Sequence, residues 1–267
     1  MNILPAALAA LTLGDAAPEP APAGPWRVER IDSRCTLIRE EAGARPRFLA
    51  LETTPGSGVI RLIAADPGWS GFSPAEAAAM RFILEPGDPV AGERVGPIRK
   101  PAGAGVELNS VDWSFLGAFA SAGAIRMEGK GRSPVRLELA GASSAVRALR
   151  HCEEDSLRQW GIDTGARAGL RRLPKPAGAG AISWFRWEEY PEEAVRARAS
   201  GTAVARVAVD AAGRPANCSV VVSAGHPSLD SLTCKSILKR ARFEPALDAA
   251  GKAVRSDYFA RTVWRTQ

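Results

Sequence analysis

Apolar and polar residues alternate over several short runs, and each run predicts a strand. Trp26-Arg-Val-Glu-Arg-Ile31 alternates with period two, and Cys35-Thr-Leu-Ile-Arg39 continues as a second strand. Phe48-Leu-Ala-Leu-Glu52 and Val59-Ile-Arg-Leu-Ile63 predict two more, separated by Thr54-Pro-Gly-Ser-Gly58, a hairpin-like break. Ser73-Pro-Ala-Glu76 reads as a helix start, with a serine cap, proline in the first turn and glutamate three residues after the cap. Val135-Arg-Leu-Glu-Leu139 alternates again. After Gly141 the period changes: Val146, Leu149 and Cys152 recur at three-residue spacing, one face of a helix. Cys152 then points inward, where it could meet Cys35 on a neighbouring strand. Strands followed by a late helix packed on them predict an α+β fold.

The last eighty-odd residues are patterned more clearly. Tyr190-Pro191 opens a short helix from Glu192 to Arg198, and Thr202–Val209 predicts a strand turned by Asp210-Ala-Ala-Gly213. Asn217–Val222 returns as its antiparallel partner. Ser223–Ser228 is a loop, with Ser228 expected to cap a helix whose Leu229, Leu232, Ile237 and Leu238 share one face. Phe243-Glu-Pro245 ends that helix, Asp248-Ala-Ala-Gly251 turns the chain, and Val254–Trp264 predicts a final long strand. Between the two patterned regions, Thr164–Ala181 lacks periodicity, and Lys175-Pro-Ala-Gly-Ala-Gly180 is the clearest boundary. The expected division is therefore a leader and Pro/Ala linker at 1–25, an α+β unit at 26–162, a Gly/Pro linker at 163–183, and a small domain at 184–267, an antiparallel sheet packed with helices.

Composition changes this picture in three places. Ile3–Leu13 is apolar for about the length of a signal-peptide core, too short to span a bilayer, and Ala-rich sites suited to cleavage follow it. Export is therefore expected, and no transmembrane helix. The net charge of +6 comes mostly from arginines scattered among acids and apolar residues, which argues against a nucleic-acid partner. Cys35, Cys152, Cys218 and Cys234 contain no Cys-x-x-Cys pair, and His151 and His226 are the only histidines. No metal site of ordinary spacing can be drawn in either half, and no cofactor is expected. An even cysteine count, two in each candidate domain, fits disulfides in an oxidising compartment, with three connectivities open.

The motifs of the last third resemble the TonB C-terminal domain family. They are Tyr190-Pro191, Asp210-x-x-Gly213, Ser223-x-Gly225-x-x-x-Leu229-Asp230, Arg242-Phe243-x-Pro245-Ala246 and Gly251-x-x-Val254, in order over about a third of the chain. Cys218 and Cys234 resemble a variant of that domain in which the second strand and the helix are stapled together. The resemblance implies a protein-binding module of the periplasm. Such a module takes a segment of an outer-membrane TonB-dependent receptor as an added strand. Carried onto this sequence, the binding edge comprises Tyr190, Pro191, Ser256, Tyr258, Ala260, Thr262 and Trp264. Core packing is an equally good reading of Tyr190 and Trp264. The family's energy transducers also carry a spanning N-terminal helix and a long spacer. The folded unit expected here in their place favours binding over force transduction.

Two other classes compete. A structural envelope protein that forms a homodimer through its exposed final strand uses the same edge. A hydrolase needs a nucleophile beside a histidine with an orienting acid, and no such constellation is visible. Glu153, Glu154 and Asp155 read as a solvated helix end, so no catalytic residue is expected.

Overall fold

The computed structural model describes residues 26–41, 47–69, 73–92, 94–100, 103–178 and 181–266. The leader and linker expected over 1–25 lie outside them. The first part of the chain carries β1 (Trp26–Ile31), β2 (Arg34–Glu41), β3 (Arg47–Thr53), β4 (Val59–Ala65), α1 (Pro74–Ala78) and β5 (Arg81–Glu85). It continues through β6 (Arg94–Lys100), β7 (Gly103–Asp112), α2 (Phe115–Ser121), β8 (Ala124–Glu128), β9 (Val135–Glu138) and α3 (Ala142–Gln159). Six of these strands form one antiparallel sheet in the order β1-β2-β3-β4-β7-β6, and β5-β8-β9 form a smaller one.

Alternation explains how the large sheet makes a core. Leu37 lies opposite Leu51, Leu51 opposite Leu62, and Leu62 opposite Leu108, a row of buried leucines across four strands. Each such side chain stabilises the fold by roughly 1.5–3 kcal/mol. Val146, Leu149 and Cys152 of α3 join the same cluster, and Cys35 is bonded to Cys152 there with Cα atoms 6.0 Å apart. The opposite face is mixed, with Ile38, Ala50 and Ile63 buried in one row and a charged cluster in the next. Glu52 accepts from Arg34 at 2.8 Å and from Arg61 at 2.7 Å, and Arg61 also reaches Glu107. Ser73 and Glu76 form the expected capping box on α1.

The stretch expected to be a Gly/Pro linker is instead built into the fold. After the short turn α4 (Gly165–Ala168), β10 (Leu170–Arg172) and β11 (Lys175–Pro176) pair with strands from the end of the chain. Those partners belong to the second part. It comprises α5 (Glu192–Arg196), β12 (Gly201–Val209), β13 (Pro215–Val222) and α6 (Pro227–Arg240), then β14 (Phe243–Glu244), β15 (Ala246–Asp248), β16 (Ala253–Val254) and β17 (Ser256–Trp264). β10 pairs with β15 and β11 with β14, while Glu244 meets Arg172 at 3.2 Å and Lys175 at 3.3 Å. The main sheet here is β13-β12-β17, antiparallel, with α6 across one face.

Two details of α6 correct the sequence expectation, and a third accounts for one of its motifs. The helix begins at Pro227 with His226 as its cap residue, and the Ser228 hydroxyl bonds His226 Nδ1 at 2.8 Å rather than capping. The buried stripe is Leu229, Thr233, Ser236 and Ile237, whereas Leu238 is exposed because its spacing carries it off that face. The Asp230 carboxylate explains the Ser223-x-Gly225 motif. It accepts from the Ala224 amide at 2.8 Å and from the Ser223 hydroxyl at 2.6 Å, fixing the loop onto the helix start.

Candidate functional site

β17 pairs with β12 along its whole length, and among the described residues no strand pairs with its other side. This leaves an edge strand. Its even-numbered side chains face α6: Tyr258, Ala260, Thr262 and Trp264 are all buried. Trp264 Nε1 donates to Thr233 Oγ1 at 2.9 Å, and that hydroxyl donates to the Leu229 carbonyl at 2.8 Å. Trp184, which the sequence patterns did not single out, packs against Phe243 and Tyr258 with ring centroids 5.3 and 6.1 Å away. Burial pushes the Tyr258 phenol far above its ordinary pKa.

The segment before α5 is clamped to this core. Arg240 donates to the Trp184 carbonyl at 2.6 Å and to the Glu189 carboxylate at 2.9 Å, and that pairing holds the Glu189 carboxyl below its usual pKa. Tyr190 donates to the Ala199 carbonyl at 2.6 Å, and its ring meets Trp264 edge-on at 5.6 Å. Pro191 caps α5, and Ser256 opens β17 half-buried. The seven residues expected at the edge thus split. Tyr190 and Trp264 line a common cleft. Tyr258, Ala260 and Thr262 turn their side chains into the core, and their main-chain groups face β12 rather than the open edge.

The odd-numbered positions set what the edge can do. Arg167 donates to the Asp257 carbonyl at 2.7 Å and to the Gly56 carbonyl at 2.7 Å, so it straps β17 to the β3–β4 turn. With the Asp257 carbonyl outward, alternation places the free main-chain groups of Phe259, Arg261 and Val263 on the same side. Phe259 is fully buried among Leu157, Ile162 and Val204, and the space beside Gly56 is too small for a Cβ against its ring. Arg261 donates to the Asp32 carbonyl at 3.0 Å. Beyond it the edge opens. Val263 is 44% and Trp187 53% exposed, and together with Phe185, Tyr190 and Trp264 they line a cleft of about 460 Å³. Arg186 and Arg265 flank it. Phe185, Trp187, Val263 and the two arginines were missed in the sequence. The alternation of β17 was the available signal for Val263.

Glu153 also departs from expectation. It lies on the inner stripe of α3, 7% exposed, in a cleft of about 450 Å³ beside Trp113, Arg150 and Arg167. Burial pushes its carboxyl up to about 8, against the Thr53 hydroxyl and the two arginines. Only its neighbours match the solvated reading: Glu154 is exposed, and Asp155 meets Arg158 at 2.7 Å. Among the described residues no group of three or more His, Cys, Asp and Glu is arranged to hold a metal. No helix there is long and apolar enough to cross a membrane.

Residues 188–266 match the family described as Gram-negative bacterial TonB protein C-terminal, the family that the motifs resemble. A crystal structure of invasion-associated protein b from Bartonella henselae is similar at 20% identity, covering 49% of this chain and 95% of that one, with a TM-score of 0.39. No curated protein matches the chain.

Proposed function

We propose that this chain, whose residues 188–266 carry the TonB C-terminal match, is a periplasmic protein-binding module that accepts an extended peptide beside β17. One observation carries the reading. β17 has an unpaired outer side among the described residues, and its last residues run into an aromatic cleft. Main-chain hydrogen bonds along such an edge supply affinity, and the cleft supplies choice. The partner class is the periplasm-facing segment of an outer-membrane TonB-dependent receptor. Two disulfides fit the oxidising side of the inner membrane, and the matched family belongs to Gram-negative envelope proteins. The N-terminal unit is a folded body packed against β17 rather than an extended spacer, which favours capture over force transduction. No residue is assigned a catalytic role.

The test uses the intact chain and fluorescently labelled receptor N-terminal peptides, with the anisotropy of the peptide as the readout. Val263→Pro removes an outward donor from the edge, and Trp187→Ala removes an exposed wall of the cleft. Each is expected to weaken binding by roughly tenfold or more, equivalent to about 1.4 kcal/mol. Unchanged binding would place recognition elsewhere. A competing reading pairs two copies through the same strand. A dimer that dissociates on dilution and excludes the peptides would favour it.

A further inference from the structure

The N-terminal unit does more than sit beside the edge. Arg167 consumes the outward carbonyl of Asp257, Phe259 is wedged under the β3–β4 turn, and Arg261 is tied to the β1–β2 turn at Asp32. All three contacts fall on the first two-thirds of β17. Past Arg261 none recurs: Val263 and Arg265 are exposed, and the aromatic cleft begins. A strand rises about 3.3 Å per residue, so the open stretch from Thr262 to Arg265 offers roughly 13 Å, enough for about four partner residues. A nine-residue strand such as β17 would otherwise template twice that.

The charged side chains that line the open cleft are both cationic. Arg186 and Arg265 are both exposed at the cleft, and neither forms an ion pair with a carboxylate among the described residues. The basic pair frames walls made by Trp187, Tyr190, Val263 and Trp264. Carboxylates at either end of an apolar segment would meet those guanidiniums while the middle enters the cleft.

We infer that the N-terminal unit is part of the recognition surface, closing β17 through Arg261 and restricting the accepted partner to a short apolar segment with acidic flanks. This rests on the strand-addition reading above and adds to it the length and chemistry of the partner. Arg167 is the positioning residue: it holds the turn at Gly56 over the edge and does not touch the peptide.

The experiment compares peptides of four and eight residues with the same apolar centre, ended by Glu or by Lys, on the intact chain. Wild type is expected to bind the Glu-ended tetramer and to gain less than about threefold on lengthening. Arg167→Ala frees the Asp257 carbonyl and is expected to gain about tenfold or more from the same lengthening. Arg186→Glu with Arg265→Glu should reverse the preference from Glu-ended to Lys-ended peptide. Hydrogen exchange on the wild type gives a check that depends on no variant. With the octamer bound, new protection is expected only at residues 262–265. Protection spreading to 257–261, or an equal gain on lengthening in wild type and variant, would overturn the closure. Indifference to peptide charge would overturn the acidic partner. Failure of every peptide on every protein would sink strand addition itself.

Discussion

Both halves of this protein fasten their long helix to a strand with a disulfide, but the two crosslinks close very different loops. Cys35 on β2 and Cys152 on α3 are buried and lie 117 positions apart. Cys218 on β13 and Cys234 on α6 are half-buried and only 16 apart. The first bond joins the beginning of its sheet to the last helix of the same unit, so it restrains nearly the whole unit when unfolded. The second staples one strand–loop–helix step that is already held by Asp230 and the β12–β13 pairing. The same chemistry therefore governs global folding in one region and local order in the other.

The sharpest way to break this contrast is to remove each bond in turn. Loop-closure entropy predicts a loss of about 5 kcal/mol for Cys152→Ser and about 3 kcal/mol for Cys218→Ser. Thermal unfolding of the two variants, followed by far-ultraviolet dichroism, should rank them in that order. A larger loss from Cys218→Ser would mean that the short staple governs the whole fold.

The next largest effect tests whether the regions unfold together. Phe259 fills the space between Leu157, Ile162 and Gly56, so Phe259→Ala should cost about 4 kcal/mol through the cavity it leaves. Calorimetry should then resolve two transitions where the wild type gives one. A single transition shifted down would show that other contacts suffice for coupling.

The smallest effect is specific to one helix. The residue after Cys152 is the buried Glu153, while the residue after Cys234 is the exposed Lys235. The folded-state value of Glu153, about 8, lies above the ordinary 4.5, so the folded state holds the proton more tightly. Its contribution is complete below about 4.5 and is lost as pH rises towards 8. Glu153→Gln should abolish that decline, which we expect to be on the order of 2 kcal/mol because the ionised carboxylate can turn towards the open cleft beside it. Parallel pH profiles for wild type and variant would remove Glu153 from the account.

What could be read in the sequence follows from how local each constraint is. The turns at Gly213 and Gly251 were legible because both need positive φ, at +76° and +81°, and a Cβ at Gly213 would collide with the Phe243 carbonyl. The capping box of α1 and the inward face of Cys152 were legible for the same reason: each is fixed within four residues. Glu153 was misread because three successive acids resemble a solvated face. Its spacing from Leu149 and Ser156 nevertheless places it on the inner stripe of α3. Arg167 had no local signature, since its two acceptors lie 111 and 90 positions away. The outer side of β17 was visible as a strand, but its partial cover by the first unit was not. Alternation reports faces within a strand and nothing about which body lies alongside.

The pairing of β10 and β11 with β15 and β14 determines where the polypeptide can be divided. A fragment cloned from residue 184 would discard two strands, leave two backbone edges bare and strip Glu244 of Arg172 and Lys175, inviting aggregation. A fragment cloned from residue 163 would retain both strands and both cations. For the same reason, a trypsin-like protease probing the junction should find fewer productive cuts between 170 and 176 than Arg171, Arg172 and Lys175 advertise.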